Sequence, residues 1–105
     1  MLLEQYKNFH HTTIQKNFSL LYYCVGMGGE SGEVLNEVKK LYRDHNNILT
    51  MKIKNNIIKE LGDVLWYITS IAKYIDSSLE EIIKENMKKL SRKISNKEKD
   101  YKIKL

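Results

Sequence analysis

Four carboxylates draw attention through their spacing. Glu30 and Glu33 lie three residues apart within GGESGEVLNEVKK (28–40), and Glu60 and Asp63 lie three apart within KELGDVLWYI (59–68). Residues three apart on a helix share a face, so each pair forms a two-pronged acidic edge. Gathering like charges beside a core is costly, because each carboxylate disfavours ionisation of its neighbours. No lysine or arginine lies between Glu30 and Glu37 to offset the charge. A hard divalent cation fits the need. Mg2+, with Mn2+ able to substitute, takes carboxylate oxygens, keeps several waters and completes its shell with substrate phosphates. Gly28, Gly29 and Gly32 sit beside the first pair. Each weakens a helix by about 1 kcal/mol relative to alanine, so the cluster implies close helix approach, space for a substrate, or a kink with no ligand at all.

The elements that must carry these residues are helices. The chain has no proline and no sustained period-two alternation, and its apolar residues recur at three and four. This pattern predicts an all-α fold. Helices are expected over 2–12, 17–44, 51–75 and 79–94. The second ends before His45-Asn46-Asn47, the third is capped by Thr50, and the fourth is opened by the capping-box pattern Ser78-Leu79-Glu80-Glu81. At 100° per residue, Leu20, Met27, Val34, Val38 and Leu41 line the inner face of the second helix. Ile53, Ile57, Leu61, Val64, Leu65, Ile68 and Ile75 line that of the third. Both carboxylate pairs then fall at the border of a buried face. A short connection predicts antiparallel packing in a bundle of four main helices, with Glu30 and Glu33 facing Glu60 and Asp63. On the fourth helix Asn86 falls inside the stripe Leu79, Ile83, Met87 and Leu90, where a buried amide needs a partner. The partner is either local backbone or a ligand, and Lys89 and Arg92 nearby suit phosphate oxygens.

Composition bounds the rest. A chain of 105 residues with 42% hydrophobic residues supports one modest core and is only marginally stable as a monomer. No apolar run approaches a membrane span and no signal-peptide core is present, so a cytoplasmic protein with no membrane partner is expected. Cys24, the lone cysteine, is expected in the core. His10 and His11 are adjacent on a helix and point apart, which disfavours a metal pair. Trp66 lies opposite its helix's apolar stripe and should meet another element, either a subunit interface or a base. The net charge of +5 is concentrated at one end: residues 84–105 hold nine lysines and arginines against three acidic residues. The expected organisation is a helical domain over 1–94 and a basic tail over 95–105. There is no Walker-type glycine loop and no paired-cysteine zinc pattern.

Taken in order, GGESGEVLNEVKK, KELGDVLWYI and NMKKLSR (86–92) resemble the MazG-like branch of the all-α nucleoside triphosphate pyrophosphohydrolases, over roughly Leu20 to Arg92. The resemblance implies a magnesium-dependent enzyme that cleaves a nucleoside triphosphate between its α and β phosphates, giving monophosphate and pyrophosphate. It also implies a homodimer or homotetramer whose sites draw on two chains. Carried over, Glu30, Glu33, Glu60 and Asp63 become metal ligands, with Glu33 the favoured residue to activate water. Lys39 or Lys40, with Lys89 and Arg92, would hold phosphates, and Trp66, Tyr67 and Asn86 would contact base or sugar. The chain departs from many relatives at Gly29-Glu30, where they carry two adjacent glutamates, so one ligand is absent here. A different class also fits the basic end: a non-catalytic helical oligomer binding nucleotide or nucleic acid. The facing carboxylates disfavour nucleic acid, and steep salt dependence would betray it.

Overall fold

A computed structural model describes residues 2–104, with side chains described over 2–96. The basic side chains of 97–105 lie outside the described residues. Four helices account for nearly all of the chain: α1 (Leu2–Thr13), α2 (Leu20–Asp44), α3 (Met51–Tyr74) and α4 (Leu79–Lys104), with no strand among the described residues. Their boundaries follow local chemistry. Ser19 caps α2 by accepting from the Tyr22 N–H at 3.2 Å, which sets the start three residues beyond Asn17. Thr50 caps α3 in the same way through the Ile53 N–H at 3.3 Å. The α2–α3 break is built by Asn46 and Asn47 in the left-handed region (φ 49° and 62°), with the Asn47 N–H closing back onto the Leu41 carbonyl at 2.8 Å. Half of the expected capping box forms at α4. The Glu81 N–H donates to Ser78 Oγ, while the Glu81 carboxylate accepts from the Ser77 hydroxyl. The helix then continues well past Ile94.

α2 and α3 form the central pair. The start of α2 meets the end of α3, where the Tyr23 and Tyr74 rings lie 6.4 Å apart, and the end of α2 meets the start of α3, where Asn56 donates to Glu37. α1 is held across α3 by polar contacts. His10 is fully buried, its Nε2 lying 3.0 Å from the Trp66 carbonyl and 2.9 Å from Ser70 Oγ. Trp66 Nε1 donates to Thr13 Oγ1 at 2.7 Å, so Trp66 does meet another element, and that element is α1. His11 is exposed, and the two histidines point apart as expected.

Burying neutral His10 has a consequence for stability. Burial, with the Lys73 ammonium 3.1 Å from Nδ1, holds its pKa below the ordinary value of 6.5. Below about pH 6.5 the unfolded chain therefore binds a proton that the folded chain refuses, and stability falls with pH through that window. Thermal melts between pH 7.5 and 5.5 are expected to show the Tm advantage of wild type over His10→Gln shrinking as pH falls. A constant gap would exclude His10 titration as the cause.

The chain does not close into a four-helix bundle by itself. Every described side chain of α4 from Glu81 to Asn96 is exposed, including the expected core residues Ile83, Met87 and Leu90, and only Leu79 is buried. On α3, Leu61 and Leu65 are exposed, and so is Ile75 at its C-terminal cap, although Ile53 is buried. Leu20 and Cys24, both expected inside, are exposed as well. The expected faces of α2 and α3 cover one another in part, but among the described residues the α4 stripe beyond Leu79 and the positions Leu20, Leu61 and Leu65 have no intrachain neighbour to bury them. The radius of gyration is 18.1 Å, against about 13 Å for a compact chain of this length. The accessible surface is 8583 Å², against about 6100 Å² for a compact monomer of this mass.

Candidate metal centre and adjoining cleft

Packing α2 against α3 brings three of the four predicted carboxylates together. One oxygen from each of Glu30, Glu60 and Asp63 lies within 4.8 Å of the others, a spacing at which one cation can bind all three. Glu30 and Glu60 are half-buried and Asp63 is exposed, so the trio opens to solvent on one side. Burial raises the Glu60 pKa above the ordinary carboxylate value, and the charges of Asp63, Glu30, Glu33 and Glu37 raise it further. A bound cation would relieve that repulsion, so the donor set suits a hard divalent ion. Glu33 stands outside the trio, exposed, close enough for its charge to be felt at Glu60.

Glu37, the third acidic residue of the α2 motif, has a different fate. It is 8% exposed, accepts from Lys40 at 2.9 Å and from Asn56 at 3.4 Å, and its pKa is lowered chiefly by the Lys40 hydrogen bond. Lys40 is therefore occupied within α2, in an i,i+3 pair with the Glu37 that links α2 to Asn56 of α3, while Lys39 is exposed. Trp66 and Tyr67 line a cleft of about 320 Å³ together with Glu30 and Asp63, so both predicted aromatic residues stand beside the acidic trio. The α4 residues do not. Asn86 is exposed rather than buried, because the stripe around it has no covering element, and among the described residues α4 makes no contact with α2. Asn86 and Lys89 instead border a separate cleft with Ile75, Ser77 and Glu81, and Arg92 is exposed further along.

The glycines divide in a way their sequence did not reveal. Nothing lies within 4 Å of a Cβ placed on Gly28, Gly29 or Gly32, whereas a Cβ on Gly26 would overlap the Tyr67 ring. Close helix approach therefore falls on Gly26, one turn before Glu30. Its only sequence signal is a residue without a side chain closing the bulky run LLYYCV. His10 is the other structural residue that spacing alone passed over, since its burial depends on where α1 lands.

The sequence profile of the MazG nucleotide pyrophosphohydrolase domain matches residues 15–97, most of the chain. The protein belongs to the MazG family. Its match spans α2 and α3, which supply the acidic trio, and the described part of α4. This MazG domain is also 40% identical over 71 residues to the Gene 37 protein of Mycobacterium phage L5, covering 68% of the present chain and 62% of the phage protein. The chain thus spans under two thirds of that relative's length. No solved structure matches it.

Proposed function

We propose that this MazG domain is a magnesium-dependent nucleoside triphosphate pyrophosphohydrolase of the cytoplasm, releasing monophosphate and pyrophosphate. The observation that carries this reading is the convergence of Glu30, Glu60 and Asp63 from two helices on one point beside an aromatic cleft. Glu30, Glu60 and Asp63 hold the ion, with Glu33 at the open side. When bound by these residues, a divalent ion would supply charge neutralisation for the polyphosphate and lower the pKa of water. Glu33, exposed and outside the trio, is the carboxylate free to take a proton from the attacking water. Tyr67 and Trp66 wall one side of the site.

The working unit is a homodimer, or a tetramer built from dimers, with helices packed antiparallel. Gly28, Gly32, Leu35 and Tyr42 share one open face of α2 on the side away from the carboxylates, and Leu35 and Tyr42 are 69% and 68% exposed. Small residues there let a second helix approach closely, and the surplus accessible surface is of the size that stable subunit interfaces bury. Asn86, Lys89 and Arg92 do not reach the acidic trio in their own chain, so any contact they make with substrate there would come from a second copy. Lys39 lies on that same open face of α2, away from the trio of its own chain, and would meet phosphate only at the site of a second copy.

The test is product analysis. Purified protein with Mg2+ and a panel of nucleoside triphosphates is expected to yield monophosphate and pyrophosphate in equal amounts, and none after chelation. Diphosphate and orthophosphate as products would place the cleavage at the wrong bond and reject the reading.

A further inference from the structure

A second cavity adjoins the acidic cleft and shares one wall with it. It has a volume of about 450 Å³ and is lined by Ser19, Leu21, Tyr22, Val25, Gly26 and Tyr67. Tyr67 also lines the cleft holding Glu30 and Asp63. The size falls in the range of small-molecule sites, and the lining is that of a site for a flat apolar group with polar edges. No charged side chain borders it, so it offers nothing to a phosphate.

The geometry points to this cavity as the seat of the nucleobase, with Tyr22 as a specificity-determining residue. This inference rests on the pyrophosphohydrolase reading above and adds where the base lies. Tyr22, Gly26 and Glu30 follow one another at one-turn intervals along the same side of α2. Tyr22 thus stands about 12 Å along the axis from the metal-binding glutamate. A nucleotide with its phosphates at the trio would reach back along α2 across Tyr67. Gly26 makes the path available: its missing side chain lets the Tyr67 ring lie against α2 and serve as a wall of both spaces. Tyr22 is held in place by stacking on Phe18, with ring centroids 3.9 Å apart and planes within 11°. The Tyr67 phenol is pushed above its ordinary pKa by burial, with Tyr22, Glu30 and Asp63 adding to the effect. Tyr22 and Tyr67 both line the cavity, and each can offer a phenol hydroxyl to the edge of a base. A site that hydrogen-bonds its ligand discriminates strongly against a base lacking the matching group.

The test separates base from phosphate. With Mg2+ present, α,β-imido nucleoside triphosphates and inorganic tripolyphosphate are titrated by calorimetry into wild type, Tyr22→Ala and Val25→Trp. Tyr22→Ala removes one wall, and Val25→Trp fills the cavity from an exposed position without removing a contact of the core. Both variants are expected to lose about tenfold or more in nucleotide affinity, to flatten the ranking among bases, and to bind tripolyphosphate as wild type does. Unchanged nucleotide affinity in both variants would overturn the assignment and leave the enzyme reading intact. Equal losses for nucleotide and tripolyphosphate would overturn it too, by showing an effect on the phosphate end. Failure of wild type to bind either probe would instead reject the pyrophosphohydrolase site itself, and the base site with it.

Discussion

Asp63→Asn is expected to lower nucleoside triphosphate turnover by about 100- to 1000-fold, the range seen when one preorganised electrostatic contact to a transition state is lost. The fold should survive, and in chelator it should gain. Asp63 is exposed, and its charge does more than any other to raise the Glu60 pKa, so its neutralisation relieves repulsion in the metal-free protein. The sign follows from linkage. A carboxylate whose folded pKa is raised opposes folding at neutral pH, and that opposition fades as pH falls through the folded pKa. Wild type should therefore show a lower Tm than the variant in chelator. Adding Mg2+ should raise the wild-type Tm by mass action on the native state and leave the variant nearly unmoved. Turnover assays and paired melts read both effects. A variant that keeps wild-type turnover, or responds to Mg2+ as wild type does, removes Asp63 from the site.

The other large effect concerns assembly. Leu35→Asp is expected to convert the proposed oligomer to monomers and to lower Tm by many degrees. Burying a leucine contributes about 1.5–3 kcal/mol, and in a two-fold symmetric interface every change is made twice. A carboxylate placed there adds the cost of desolvating a charge without a partner. The chain has little reserve, since among the described residues only Tyr23, Ile53, Ala72 and Leu79 are buried hydrophobic residues. Light scattering coupled to size exclusion would report the mass, and wild-type Tm should rise with protein concentration. If Leu35→Asp retained both the wild-type mass and Tm, the open face of α2 would not be the interface.

Local chemistry made the helices and their limits legible. Thr50 and the Asn46-Asn47 pair mark ends that backbone donors and acceptors demand, whereas the cap of α2 is Ser19 and not the expected start at Asn17; a period of 3.6 distinguishes helix from strand without reference to anything distant. The acidic pairs were legible for the same reason, because three-residue spacing puts two carboxylates on one face of whichever helix carries them. Order and spacing of the motifs also pointed to the MazG family, which the profile match bears out.

Tertiary structure decided which of these residues meet. Helical periodicity gives the angle of a side chain around its own axis, but the axial register between two helices depends on how their surfaces interlock. That register admits Glu30 to the trio with Glu60 and Asp63 and leaves Glu33 beside it. It also gives Glu37 to Lys40 and Asn56, and selects Gly26 over three more conspicuous glycines for contact with Tyr67. Asn86 shows the same limit in another form. Its place in an apolar stripe was readable, but burial requires a neighbour, and within one chain α4 has none there. The sequence by itself determined the helices, their apolar faces and the carriers of charge; the packing of α1, α2 and α3 alone decided which charges share a point, because that is set by contacts between residues far apart along the chain.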